Sequence, residues 1–305
     1  MGVRRWLASM AGLGLAAQIA AGGSTVDAQD PLGDLLRARF AARLEAIAEA
    51  ADGVVGYVVV DVEGGDRFAR LESAQFPAAS TIKLAILYEL MRQADEGRVA
   101  LDQAEPLDRS RAVPGGLLHE LTQPSLSPRD LAVAMILQSD NTATNVLIDR
   151  LGMAAVNRRM AELGLKATWL RRHMIDTDAA RRGDENVSTP ADLARLIVAF
   201  HHGEGLSAEA KAAALDILRK PKRTPITSGV PPSVQVASKS GELDGVRADA
   251  GIVYVPGRPY VLAAMGTYFG AAPRPADSLE ALARTSYEYF ARRATATAYG
   301  RQLPP

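Results

Sequence analysis

Apolar side chains recur at three- and four-residue steps through residues 32–52, and the run stops at Gly53. That period places them on one helical face and predicts an amphipathic helix. The pattern then changes. Residues 53–62 (GVVGYVVVDV) are rich in β-branched side chains, 63–66 (EGGD) form a turn, and 67–71 fit the returning strand of a hairpin. From 77 to 222 the helical period returns, predicting helices over 80–93, 127–138, 142–151, 153–163, 190–201 and 208–219. Two stretches interrupt it: 104–126, with several Pro and Gly, and 168–188, polar and charged. Short apolar runs at 234–240, 250–256 and 260–266 predict three strands, the last two joined by a turn at Gly257-Arg258-Pro259. A final amphipathic helix is predicted over 276–297.

Two strand groups far apart in the chain can meet in one antiparallel sheet, with the terminal helices on one face. The fold class predicted is therefore α/β (α+β) and two-lobed: a five-stranded antiparallel sheet flanked by N- and C-terminal helices, plus an all-helical lobe. The α/β lobe takes about 30–75 and 223–298, and the helical lobe about 76–222, within one catalytic unit over 29–305. A cleft between lobes is a common place for a site.

Composition narrows the function. Hydrophobic residues make up 48% and charged residues 23% of the 305, ordinary for a globular protein. With 35 basic and 35 acidic side chains the net charge is zero, which argues against a nucleic-acid partner. Arg4 and Arg5, an apolar run from 6 to 21 and the small-residue end Val26-Asp27-Ala28 read as a signal peptide over 1–28. The expected product is periplasmic or secreted, without a stable membrane anchor, and monomeric. There is no cysteine, so burial rather than disulfides must stabilise the fold, and a thiol nucleophile is ruled out. His201 and His202 are adjacent and do not share a helical face, so neither a metal nor a cofactor is expected.

The chemistry lies in three short motifs. Ser80 opens a helix and Lys83 follows three residues later, on the same face one turn along. A serine needs a base within hydrogen-bond reach, and a lysine can serve where burial or a second cation lowers its pKa. Ser139-Asp140-Asn141 joins two helices, and Lys239-Ser240-Gly241 closes a short strand. Each motif alone is common. Together, in this order and in these settings, they point to acyl transfer through a serine.

The set resembles the class A β-lactamase family across nearly the whole mature chain. Leu126 through Asn145 is similar to the family's helix leading into its S-D-N loop, and Ser188-Thr189-Pro190-Ala191 to the start of the helix after its omega loop. The resemblance implies that Ser80 is acylated, that Lys83 accepts or relays its proton, and that Ser139 passes a proton toward the leaving nitrogen. It also implies that Asn141 orients Lys83 and the substrate amide, and that Lys239 and Ser240, with Gly241 beside them, hold the substrate carboxylate. The backbone at Glu242 would join that of Ser80 in an oxyanion hole, and Arg247 would reach the same carboxylate. One departure stands out: 168–188 lacks the family's Glu-Pro. His173, Asp176 and Asp178 are the candidate replacements for the deacylation base, and Arg171 with Asp184 or Glu185 is a candidate ion pair across the loop. The expected activity is β-lactam hydrolysis. A peptidoglycan peptidase or esterase, a penicillin-binding domain that stays acylated, and a protein without catalysis remain open.

Overall fold

The computed structural model describes residues 1–2, 30–122, 125–270, 278–297 and 299–303. The expected signal peptide, apart from Met1 and Gly2, lies outside the described residues. In chain order the elements are α1 (Pro31–Glu49), β1 (Val54–Asp61), β2 (Arg67–Arg70), β3 (Phe76–Pro77), α2 (Lys83–Asp95), β4 (Glu105–Pro106), β5 (Ser125–Leu126), α3 (Pro128–Leu137), α4 (Asn141–Leu151), α5 (Met153–Glu162) and α6 (Thr177–Arg181). There follow β6 (Val187–Ser188), α7 (Pro190–His202), α8 (Ala208–Arg219), α9 (Pro225–Ser228), β7 (Val236–Leu243), β8 (Val246–Val253), β9 (Tyr260–Thr267) and α10 (Ser278–Ala294).

The five long strands form one antiparallel sheet in the order β2-β1-β9-β8-β7. Early β1 pairs with late β9, so the chain leaves the sheet, builds the helices and returns. Side chains alternate across the sheet. Ala237, Ala250, Ile252 and Val261 join the core shared with α2 and α7. Val59, Val236, Val253 and Leu262 join the core under α1 and α10. There Phe40 stacks on Tyr289 at 4.1 Å and Tyr260 on Phe290 at 4.3 Å.

Helix α2 runs through the centre of the helical layer. Its sequence LAILYELM is buried all round, as expected of a core helix with apolar residues on every side. Among the described residues, no helix is long and apolar enough to cross a membrane.

Several details differ from the sequence reading. The predicted helix at 80 starts as a 3-10 turn, Ala79–Ile82, before α2. Lys239-Ser240-Gly241 lies inside β7 rather than at its end, because the strand continues to Leu243. The next strand is Val246–Val253 rather than 250–256, since Arg247 and Asp249 are strand residues and Asp249 is buried. Two short helices, α6 and α9, interrupt stretches that carry no helical period.

Candidate active site

The chain before Ser80 is held at both ends. Phe76–Pro77 pairs with Val187–Ser188, and the Ala78 amide donates to Asn186 O at 2.8 Å. Ala79 then takes φ +46°, a left-handed conformation that costs a non-glycine residue free energy. This bend delivers Ser80 to the start of the 3-10 turn, partly exposed, while Lys83 one turn on is fully buried.

The second hydroxyl comes from a similar bend. Ser139 has φ +56° and sits between α3 and α4. Asp140 caps α4 by accepting from the Ala143 amide at 2.8 Å through Oδ1. Its Oδ2 accepts from the amides of Leu117, at 2.7 Å, and Leu118, at 2.8 Å. Gly116 packs on this carboxylate with φ +107°; a Cβ there would lie 2.3 Å from Asp140 Oδ2. Asn141 donates from its backbone to Gly115 O and from Nδ2 to Pro114 O, both at 2.9 Å. The Pro- and Gly-containing stretch seen in the sequence is thus a wall docked on Ser139-Asp140-Asn141.

The third piece is β7. Lys239 is buried, and its ammonium donates in two directions: to Ser139 Oγ at 3.2 Å and to Ser240 O at 2.6 Å. Gly241 presses against the turn that carries Ser80, where a Cβ would lie 2.6 Å from the Ser80 amide nitrogen. Glycine at this position is a requirement of close backbone approach.

The three pieces meet at the Ser139 hydroxyl. Lys83 Nζ donates to Ser139 O at 2.6 Å, Ser139 Oγ at 3.1 Å and Asn141 Oδ1 at 3.0 Å. Ser139 Oγ therefore accepts from both lysines, which fills its two lone pairs. Its single proton is donated to Ser80 Oγ at 2.8 Å. Lys83 thus communicates with Ser80 through Ser139.

Burial sets the charge of both lysines. It holds Lys83 well below the usual lysine range, helped by the charge of Lys239 and opposed by Asp140. It lowers Lys239 to about 8, opposed by Asp249 and reinforced by Lys222. Two ammonium groups sharing one hydroxyl favour loss of a proton from one of them.

A cavity of about 800 Å³ opens on this centre, and Ser80, Ser139, Asn141, Lys239, Ser240, Gly241, Glu242 and Arg247 all line it. Arg247 is bound to Glu242 at 2.6 Å across the β7–β8 pair. Further lining residues were not read from the sequence, among them Gly115, Arg223, Thr224, Pro225 and Ser228. A signal existed for Thr224 and Pro225, since Thr224-Pro225 followed by Thr227 is a capping box at a helix start.

The loop residues go elsewhere. His173 binds Asp149 at 2.8 Å, Asp176 caps α6, and Asp178 pairs with Arg181 on the exposed face of that helix. None of the three lines the cavity. The ion pair across the loop is formed by Arg172, not Arg171, with Glu185 at 2.6 Å, because the Arg171 side chain points to solvent at this bend while its amide binds Asn186 Oδ1.

Comparison with known proteins agrees with this geometry. The chain is 29% identical over 276 residues to a β-lactamase of Streptomyces fradiae, covering 87% of this chain and 88% of that one. Its fold is similar to a variant of PBP-A in acyl-enzyme complex with penicillin G, with TM-score 0.75, 30% identity, and 85% and 97% of the two chains covered. A β-lactamase from Sphaerobacter thermophilus matches with TM-score 0.74 and 31% identity over 82% of this chain and 96% of that one. A sequence model of the β-lactamase enzyme family matches residues 39–290, and the chain belongs to that family.

Proposed function

We propose that the chain is an exported serine hydrolase that opens β-lactam rings through an acyl-enzyme on Ser80. The observation that carries this reading is the Ser139 hydroxyl, which accepts from Lys83 and Lys239 and donates to Ser80. With Lys83 neutral, the Ser139 hydroxyl turns its proton to the Lys83 amine and accepts from Ser80, whose Oγ attacks the lactam carbonyl carbon. The Ser80 proton passes to Ser139 as the Ser139 proton passes to the Lys83 amine. The carbonyl carbon–nitrogen bond then breaks, and the ring nitrogen takes the proton back by the same route. Lys239 and Ser240 hold the substrate carboxylate, with Arg247 near it, and the amides of Ser80 and Glu242 bind the oxyanion. Export is inferred from residues 1–28, and N-terminal sequencing of protein from the periplasm or medium tests it.

A specific observation supports a second reading, a penicillin-binding protein that releases its acyl group slowly. His173, Asp176 and Asp178 are engaged outside the cavity. The similar PBP-A variant is described as an acyl-enzyme with penicillin G.

One experiment separates the two. A chromogenic cephalosporin is followed over time and by intact-mass spectrometry, with Ser80→Ala as control. Sustained turnover that the mutant loses supports the lactamase. A single burst with a stable adduct supports the penicillin-binding protein. Absence of both Ser80-dependent turnover and any adduct on Ser80 overturns both.

The pH profile follows from the two lysines. Acylation needs Lys83 neutral, so its rate rises as pH climbs through the lowered Lys83 titration. Carboxylate binding needs Lys239 charged, and that charge is lost above about 8. A bell-shaped kcat/KM is expected, with KM for anionic substrates rising as pH passes through about 8. A KM flat from pH 7 to 9 would remove Lys239 from the carboxylate site.

A further inference from the structure

Asp249 is fully buried on β8, directly opposite Ser240 in the β7–β8 register. Its Oδ2 accepts from the Ile226 amide, the second residue of α9, at 2.9 Å. The Thr224 hydroxyl of the same turn also favours its charged form, while Oδ1 has no partner within hydrogen-bond geometry among the described residues. A buried carboxylate with an unpartnered oxygen is costly and calls for an explanation. Nothing in the acylation steps uses it.

Its surroundings supply one. The turn that Asp249 grips carries Arg223, Thr224 and Ser228, which line the cavity. Thr224 also lies 3.5 Å from the Ser238 hydroxyl of β7, so the turn touches the strand next to Lys239. The cations near Asp249 are Lys239 on β7 and Lys222 just before α9. On α10, which packs over α9, Glu280 and Arg284 neutralise each other at 2.7 Å. Strand β9 and the 79–82 turn, both packed on β8, contain no charged side chain. On α7, the His201 ring lies tilted 6.0 Å from that of Tyr254, beyond the end of β8.

We propose that Asp249 is a positioning residue for the substrate-carboxylate site: through the Ile226 amide it anchors the 223–228 turn to the sheet, and it sets a buried negative charge behind the strand that carries Lys239, on the opposite sheet face. The inference rests on the acyl-enzyme reading above. Burial raises Asp249 to about 6, so it is an anion at neutral pH, and its charge opposes the burial that lowers Lys239.

The test is acylation of the full chain by a fluorescent penicillin between pH 6 and 9, measured as half-saturating concentration and maximal rate. Asp249→Asn keeps the shape and can still accept from Ile226. In that variant the rise of half-saturation with pH is expected to begin about one pH unit lower. At pH 8 this amounts to about a fivefold weaker half-saturation, with the maximal rate unchanged. Lys222→Met, which removes the cation on the other side, is expected to move the rise upward. Superimposable profiles in all three proteins overturn the inference while leaving the acyl-enzyme reading intact. Equal loss of rate at every pH, with earlier thermal unfolding, also overturns it, since that marks a purely structural role. If the unmutated chain takes no penicillin at any pH, the acyl-enzyme reading itself fails.

Discussion

Replacing Lys83 with methionine is expected to slow acylation of Ser80 about 10³-fold while the protein stays folded. Methionine fills most of the volume of the lysine stem, so the core around α2 keeps its packing. What it lacks is the amine that contacts Ser139 O, Ser139 Oγ and Asn141 Oδ1. The proton of Ser80 then has a route to Ser139 but no base beyond it. Lys239 also reaches Ser139, but it is the charged partner at neutral pH. The check is the rate of adduct formation by intact mass, set beside thermal unfolding. A rate within tenfold of the parent would exclude Lys83 as the proton acceptor.

Asp140→Ala is expected to damage both fold and site. The side chain accepts three amides, those of Leu117, Leu118 and Ala143, and is completely buried. Each orphaned donor costs about 1–3 kcal/mol, so a loss of about 4 kcal/mol is expected. For a chain of this size that corresponds to a fall in Tm of about 10 °C. The damage should also reach the cavity, because Gly115 lines it and hangs from Asn141, while Gly116 rests on Asp140. A fall in Tm with half-saturation and rate both impaired is the expected signature. A Tm within about 2 °C of the parent, about 1 kcal/mol or less, would show that the 113–118 wall does not depend on this carboxylate.

The sequence carried the large features because periodicity reports burial. Helices α2, α3, α4, α5, α7 and α8 each show one apolar face or an apolar interior, and each is found within a few residues of its expected bounds. The site residues were legible because three motifs fixed their order. Strand β8 was misread because Arg247 and Asp249 look like surface residues, whereas one pairs across the strands and the other is buried by α9. Helix α9 has four residues, too short to show a period, and with it went Arg223, Thr224 and Ser228. The loop over 168–188 could not be placed from polarity. Its carboxylates serve as a helix cap, a surface pair and the Arg172–Glu185 tie, and only the folded chain reveals which.

The two bends at Ala79 and Ser139 have an engineering consequence. Both are non-glycine residues in the left-handed region, and they present the two hydroxyls that face each other. Such a conformation costs of order 1 kcal/mol or more at each position. A directed-evolution campaign scored on heat tolerance alone should find Ala79→Gly an attractive gain, because glycine relieves that cost. The same change would free the bend next to Ser80, widen the range of its hydroxyl and blunt acylation. Robustness and reactivity compete at this one residue, so a selection for durable variants should score both.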